Sequence, residues 1–408
     1  FVVPVPQLPL ITQAKKIKSK GIFTGNISDI NIKTVTNLDR FNSVYAGKIF
    51  NYQDKPNFKG KIKFKTSDFT RFVQQVGFDY NPKNMPANIF TFQGNVQGSA
   101  DNWKATGIEA FVGTDNFKGD IAVNSAAERS VITADITANK FEFDRFFYNP
   151  TAFASKIAPN INSGGSAFLK KPALETAEID YNWLKDFDLN GKFKIGALSY
   201  NTQSVKNFES SLILHNGNIK AENFSFDKDS GNISGAFEID TSKTPVIKGS
   251  ANFKNFAITD TDGSKYAFTS GALRAKAEFE APATSVMEAF NQLNAKISVD
   301  IDNAVFKGWD MEFIEDDLST RTRSDKLFDM LFSSLQKGES RFEVVGAEIN
   351  IVNGNYSFKD ALMASGLVTI DVNGQGNLKS WTTNTTFKVT FERLRDKIVP
   401  IEFKWSGQ

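Results

Sequence analysis

The side chains that most often carry out catalysis are scarce in this sequence. Among its 408 residues there is one histidine, His215, and there is no cysteine. A catalytic triad needs a histidine that is held by a carboxylate and faces a nucleophile. The sequence around His215, Leu-His-Asn-Gly, supplies neither group. We therefore expect His215 to be an exposed turn residue, and we predict that the protein is not an enzyme.

The motifs that could hold a metal ion or a phosphate group are incomplete. Asp260–Gly263 reads Asp-Thr-Asp-Gly, but a calcium loop has glycine at its sixth position and glutamate at its twelfth, so we expect a tight turn. Gly374-Gln375-Gly376 precedes no predicted helix, which argues against a phosphate-binding loop. Four carboxylates form a cluster that we expect to be a solvated loop: Glu312, Glu315, Asp316 and Asp317. We predict no cofactor and no metal.

The charges are balanced and dispersed. Lysine and arginine number 48 and aspartate and glutamate 46, so the net charge is +2. This balance argues against nucleic acid as a partner. Basic residues are interleaved with other residues, as in Lys59–Lys65, and form no polybasic tail for anionic lipid headgroups. No apolar run reaches the roughly 18 residues that a membrane-spanning helix needs.

The strongest pattern in the sequence is alternation of apolar and polar residues, which predicts half-buried β-strands. It is clearest in Lys59–Lys65, Lys192–Leu198, Asn232–Asp240, Lys296–Asp302, Thr385–Phe391 and Ile401–Trp405. Asn-Gly pairs supply the positive φ of two-residue hairpin turns. Such pairs occur at Asn190-Gly191, Asn216-Gly217, Asn353-Gly354 and Asn373-Gly374. We therefore predict a meander in which each strand pairs with the next.

The remaining segments set the predicted domain organisation. Apolar residues at helical spacing predict three short helices, at Ser67–Val76, Thr284–Asn294 and Asp325–Leu335. Proline and glycine predict a loop or linker over residues 148–178. We divide the chain into an extended lead-in (1–12), an N-terminal β segment (13–147), this linker and a C-terminal β segment (179–408).

A sheet with one apolar face must cover that face, and the sequence leaves three ways open. The face can pack on a second sheet in a closed core, pack on helices, or line a groove that holds an apolar ligand. The candidates for the covered face are Phe193, Ile195, Leu212, Leu214, Phe224, Phe226, Ile233, Phe237 and Ile239, and, at the C-terminal end, Phe387, Val389, Phe391, Ile401, Phe403 and Trp405.

Several segments follow one another in an order found in a known family. Phe141–Phe147 reads Phe-Glu-Phe-Asp-Arg-Phe-Phe before the predicted linker, and Leu189–Gly196 reads Leu-Asn-Gly-Lys-Phe-Lys-Ile-Gly after it. This combination resembles the AsmA family. Further segments keep the family's order over residues 105–391: Phe208–Leu214, Gly217–Phe226, Gly231–Asp240, Ser270–Glu280, Thr284–Asn294, Ala295–Trp309, Gly338–Phe358 and Ala364–Gly376.

The resemblance to the AsmA family implies a fold, a location and a function. The fold is mostly β, an elongated and curled antiparallel sheet with a few short amphipathic helices, which forms a groove for lipid. The implied function is non-enzymatic: a periplasmic protein of Gram-negative bacteria binds phospholipid acyl chains and helps move lipid between inner and outer membranes. Its attachment to the inner membrane would use a segment outside this sequence. The alternative is an envelope assembly factor for outer-membrane proteins, with envelope proteins as partners and the apolar face in a closed core.

Overall fold

Twenty β-strands account for most of the described chain, as the alternating pattern predicts. The computed structural model describes residues 17–26, 28–38, 40–51, 55–71, 89–125, 129–142, 176, 178–200, 203–258, 267–320, 333–334 and 337–407. The chain divides into two units, Phe1–Ser155 with Asp180–Phe226, and Lys156–Ile179 with Asp227–Gln408. In each unit the prediction of a mostly β chain, with long runs of antiparallel strands and few short helices, is confirmed.

The first unit contains a ladder of ten strands. They are β1 (Ile17–Asn26), β2 (Asp29–Leu38), β3 (Phe41–Phe50), β4 (Asn57–Thr66), β5 (Phe90–Gly98), β6 (Asn102–Val112), β7 (Asp115–Asn124), β8 (Ser130–Glu142), β9 (Phe187–Tyr200) and β10 (Gln203–His215). Each strand pairs antiparallel with the next, except that β8 and β9 run parallel. A 3₁₀ turn at Asn182–Lys185 precedes β9. The boundary between the units falls within β11 (Asn218–Lys228).

The second unit contains a ladder of nine strands. They are β12 (Gly231–Asp240), β13 (Val246–Ala257), β14 (Ala267–Pro282), β15 (Asn294–Lys307), β16 (Glu339–Val352), β17 (Asn355–Ala364), β18 (Val368–Asn377), β19 (Thr382–Phe391) and β20 (Ile401–Gly407). Each pairs antiparallel with the next. Helix α1 (Val286–Asn291) connects β14 to β15. Helix α2 (Met311–Thr320) follows β15, and a 3₁₀ turn at Glu392–Leu394 follows β19.

β-bulges keep the apolar residues of the longer strands on one face. Gly107, Asn255 and Asp360 have φ of 58°, 55° and 55°, and the strand register shifts at each of them. An extra residue in one strand would otherwise turn every following side chain to the opposite face. Glycine, asparagine and aspartate tolerate positive φ better than other residues, so the sequence places these bulges where the alternation is interrupted.

Two of the four predicted Asn-Gly turns are confirmed and two are wrong. Asn216-Gly217 and Asn353-Gly354 have positive φ at both residues and connect neighbouring strands. Asn190-Gly191 instead lies inside β9, and Asn373-Gly374 lies inside β18. In both strands an aromatic ring occupies the space over the glycine, so the missing Cβ serves packing and not a turn. A Cβ on Gly191 would lie 2.4 Å from the ring of Phe193, and one on Gly374 would lie 2.4 Å from the ring of Phe358.

The predicted solvated loop at the acidic cluster is also wrong, because those carboxylates belong to α2. Met311 and Ile314 on this helix are almost fully buried, and this apolar side fixes the helix on the sheet. Glu315 is buried on the same helix, with its Oε2 3.7 Å from the Arg393 guanidinium. The four carboxylates predict a loop, whereas Met311 and Ile314 define the buried side of a helix.

The other predicted elements have mixed outcomes. The helix predicted at Thr284–Asn294 is confirmed as the shorter α1, which Ser285 caps by accepting a hydrogen bond from the Glu288 N–H. The described part of the helix predicted at Ser67–Val76 is helical at residues 69–71. The lead-in 1–12, most of the linker 148–178, most of the helix predicted at Asp325–Leu335, and Asp260–Gly263 lie outside the described residues.

The core of the second unit gives a direct stability prediction. Phe342 on β16 is 1 % exposed, whereas Phe313 on α2 is 51 % exposed. Replacing Phe342 with alanine should lower the free energy of unfolding by about 3–5 kcal/mol, because it removes buried surface and leaves a cavity. Phe313→Ala should cost less than about 0.5 kcal/mol. Denaturant unfolding measures both, and equal losses would contradict the buried position of Phe342.

Candidate functional site

The candidate functional site of the first unit is an apolar face that crosses the ladder from β3 to β10. The strand registers align its residues in rows. One row contains Ser43, Phe64, Phe92, Ala110, Phe117, Ala138, Ile195 and Phe208. The next contains Gly60, Val96, Ala105, Ile121, Ala134, Gly191 and Leu212, and a third contains Gly98, Trp103, Val123, Ile132, Leu189 and Leu214. We call these residues, together with the others on the same side of these strands such as Phe41, Phe90 and Phe193, the apolar face of the first unit.

Aromatic rings cluster at the start of this face. The ring of Phe64 on β4 stacks on that of Phe92 with 5.0 Å between centroids, and lies 5.3 Å from the ring of Phe41. Phe90 meets Phe64 edge-on at 5.3 Å and Phe69 at 4.8 Å. These pairs have the spacing and tilt that aromatic rings prefer. The cluster gives the unit a continuous hydrocarbon surface across three strands.

The apolar face of the first unit is only partly covered. The most extensive contacts between its described elements are those of neighbouring strands, and the 3₁₀ turn also contacts β9. Phe64, Phe92, Phe193 and Ile195 are accordingly half-buried. Small residues in the middle of the ladder are more deeply buried, among them Ala105 at 3 % exposed. Phe69, in the helical residues 69–71, packs on Phe90, and most of the large apolar side chains in the rest of the face stay partly exposed.

Glycines leave room for an aromatic ring close to the backbone on this face. Gly47 and Gly60 are directly opposite on β3 and β4, and Cβ atoms on them would lie 2.7 and 2.8 Å from the ring or hydroxyl of Tyr45. The Tyr45 hydroxyl donates to the Lys48 carbonyl at 3.2 Å, and burial raises the pKa of Tyr45. A ring over an in-strand glycine covers backbone that would otherwise be bare.

The predicted site residues of β9 and β10 fall on one surface. Phe193 and Ile195 on β9 lie opposite Ser210 and Phe208. Leu212 and Leu214 continue that face on β10, and Leu214 is 4 % exposed. The rings of Phe224 and Phe226 on β11 stack with 6.3 Å between centroids. Phe64 and Phe92 are not among the predicted site residues, although the Lys59–Lys65 alternation places Phe64 on the apolar side.

The second unit has a corresponding face. Ile233, Phe237 and Ile239 on β12 point to the same side, and Ile239 is 1 % exposed. Phe387, Val389 and Phe391 on β19 belong to the same side of the ladder, opposite Val372, Ile370 and Val368. The predicted residues Ile401, Phe403 and Trp405 complete it on β20, opposite Val389, Phe387 and Thr385.

A tryptophan closes the C-terminal part of this second face. Trp309, 3 % exposed, lies between β15 and α2. Its ring centroid is 5.2 Å from that of Phe387 and 5.7 Å from that of Phe403. Met311 and Ile314 of α2 join the same packed cluster. Phe387, Val389 and Phe391 therefore lie in a filled core, and the predictions missed Trp309 because it stands outside any alternating segment.

His215 has more partners than its sequence neighbours indicate. Its Nδ1 lies 3.0 Å from Asp188 Oδ2, so the expectation that no carboxylate holds it is wrong. Its Nε2 lies 3.1 Å from the Asn216 side-chain amide. Both ring nitrogens are thus engaged, and neither faces a nucleophile. The His215 side chain is 69 % exposed, and the residue is the last of β10, next to a turn, as predicted.

Asp188 is the centre of a polar cluster at the ends of β8, β9 and β10. Its Oδ1 lies 2.8 Å from the Arg129 guanidinium and accepts from the Asn216 N–H at 3.1 Å. Arg129 also donates to the Phe187 carbonyl at 3.1 Å. Partial burial opposes ionisation of Asp188, but the Asn216 N–H, His215 and Arg129 outweigh it and lower its pKa.

Comparison of the chain with protein-family models, with curated proteins and with solved structures gives no match. Within the described ranges, no helix combines the length and apolar character needed to cross a membrane. The geometry of the two apolar faces and the resemblance described above are therefore the grounds for a functional proposal.

The Asp188 cluster predicts a pH-dependent contribution to stability. Asp188→Asn should lower the free energy of unfolding by about 1–3 kcal/mol near neutral pH, since it removes a carboxylate with charged partners. A lowered pKa stabilises the fold above the ordinary aspartate pKa, and that stability is lost as pH falls through the lowered value. The wild-type advantage should therefore vanish on acidification. Asp186→Asn, at an exposed position just before β9, is the control for unfolding measured against pH.

Proposed function

We propose that the protein binds phospholipid acyl chains on the apolar face of the first unit and carries lipid between the membranes of a Gram-negative envelope, in the periplasm and without catalysis. The observation that carries the proposal is the row of apolar side chains from Phe64 to Phe208, which the strand registers align across β4 to β10 and in which the phenylalanines stay partly exposed. The order of segments that resembles the AsmA family supports the choice of lipid as the ligand.

The proposal agrees with the energetics of apolar surfaces. Each methylene group that leaves water contributes about 0.8 kcal/mol. Acyl chains are flexible and can follow a wide surface of phenylalanine, isoleucine and alanine side chains. The interaction is not directional, so a lipid can shift along the face without a fixed binding pocket. Such a surface suits a carrier, because binding is spread over many weak contacts.

An envelope assembly factor is the second candidate, and one observation favours it. Trp309 and α2 close the face of the second unit into a packed core. If the first face is covered by protein in the same way, the chain acts through protein contacts. Exposed strand edges then pair with client strands. The two candidates differ in what touches the apolar face of the first unit.

Site-specific crosslinking distinguishes them. A photoreactive phenylalanine analogue at Phe193 should form adducts with phospholipid in cells, because this position lies on the apolar face. The same analogue at Lys194, exposed and directed to the other side of β9, should form none. Mass spectrometry of the purified adducts, and of lipid extracted from the native protein, provides the measurement.

The outcomes separate the two candidates. Lipid adducts at Phe193 alone support the carrier, whereas protein adducts at Phe193 support the assembly factor. Lipid-free protein with no lipid adduct at Phe193 would refute the carrier proposal. Adducts of equal yield at Phe193 and Lys194 would also contradict it, because they would show no preference for the apolar face.

A further inference from the structure

The side of β1–β5 opposite the apolar face is strongly basic. These five strands contain eight lysines and a single carboxylate, Asp29. The lysines are Lys18, Lys20, Lys33, Lys48, Lys59, Lys61, Lys63 and Lys65, and all of them are exposed. Asp29 pairs with Lys48 at 3.3 Å. A chain of balanced net charge thus concentrates positive charge on one surface, which we call the basic face.

The registers show how the alternation produces this face. Lys59, Lys61, Lys63 and Lys65 are separated by one residue each, so all four point to one side of β4. The same register that puts Phe64 opposite Phe92 puts Lys63 opposite Gln93. Lysines that alternate with other residues in the sequence therefore form a row on one side of β4, with about 7 Å between successive lysines.

Exposed apolar side chains lie among the lysines. One row across four strands consists of Lys20, Val35, Val44 and Lys63, and the next begins with Ile22 opposite Lys33. Ile22 is 67 % exposed, Val35 44 % and Val44 39 %. A surface that combines lysines with exposed branched apolar residues suits a membrane interface, where ammonium groups meet anionic headgroups and apolar side chains enter the headgroup boundary.

The same residues argue against nucleic acid. Proteins that bind single strands stack bases on aromatic side chains, and the aromatic residues of β1–β5 lie on the opposite face apart from Phe50 at the end of β3. These strands also contain no arginine, which is the side chain suited to bidentate phosphate recognition. Lysines act as point charges and fit a surface of diffuse negative charge.

We propose that the basic face docks on a bilayer that contains anionic phospholipid. The apolar face points away from this surface, so the proposal goes beyond lipid binding there and does not depend on it. Docking holds the first unit against the membrane through many weak ionic contacts, with Ile22, Val35 and Val44 at the headgroup boundary.

Vesicle co-sedimentation tests this docking with the full chain. The protein should bind vesicles of phosphatidylcholine and phosphatidylglycerol in equal amounts and should bind phosphatidylcholine vesicles much more weakly. Replacing Lys59, Lys61, Lys63 and Lys65 together with glutamine should weaken binding to anionic vesicles at least about tenfold. A control with Lys296, Lys359, Lys388 and Lys404, all exposed in the second unit, replaced by glutamine has the same charge and should bind like the wild type.

Two further measurements exclude indirect effects. Raising the salt concentration from about 0.05 M to about 0.5 M should weaken wild-type binding to anionic vesicles, because screening shortens the reach of exposed charges. This test needs no variant and so does not depend on correct folding of the lysine mutant. Val35→Thr with Val44→Thr keeps β-branched residues in the strands and should weaken vesicle binding severalfold.

Several results would overturn the proposal. Equal binding to the two kinds of vesicle would exclude recognition of anionic headgroups. Equal losses in the two sets of lysine variants would show that total charge, not the basic face, controls binding. Tighter binding of the wild type to single-stranded DNA than to anionic vesicles would assign the basic face to nucleic acid. Lipid adducts at Phe193 remain an independent measurement, since they report on the other face.

Discussion

The alternation of side chains between the two faces of antiparallel strands is the constraint on which the rest of the structure depends. Because the period is two, one register places every apolar residue of a strand on one side and every polar residue on the other. Ten strands of the first unit and nine of the second keep this phase. Where the alternation is interrupted, Gly107, Asn255 and Asp360 are the extra residues of β-bulges, and each has a positive φ. A single uncorrected slip would expose Phe64 and bury Lys63.

The two units meet the same requirement, an apolar face that must leave water, in different ways. In the second unit Trp309, Met311 and Ile314 fill the space over β17–β20 and produce a packed core. In the described part of the first unit, the rings of Tyr45 and Phe193 lie over glycines, and most large apolar side chains of the face stay partly exposed. The phenylalanine-rich composition suits this arrangement, because a flat ring covers backbone and still leaves a smooth hydrocarbon surface.

The strands of the first unit also carry two different surfaces at once. Phe64 and Lys63 are neighbours in the chain but belong to opposite sides, one apolar and one basic. A thin sheet allows this because only its backbone separates the two faces. The polar cluster of Arg129, Asp188 and His215 fixes the parallel junction between β8 and β9, where the regular antiparallel pairing is interrupted.

The sequence by itself determined the strands with clear alternation, namely β4, β9, β12, β15, β19 and β20, and the apolar side of each, because a period of two is a local property that needs no tertiary information. It determined which residues of β9, β10, β12 and β19 lie on the apolar side for the same reason. Only the tertiary structure decided which Asn-Gly pairs are turns, since Phe193 and Phe358 place their rings over Gly191 and Gly374. The tertiary structure alone decided that Trp309 covers one face and that Asp188 contacts His215, 27 residues away in the sequence. It also decided that lysines dispersed in the sequence form one basic surface. These features depend on pairing between strands distant in the chain, which no local pattern contains.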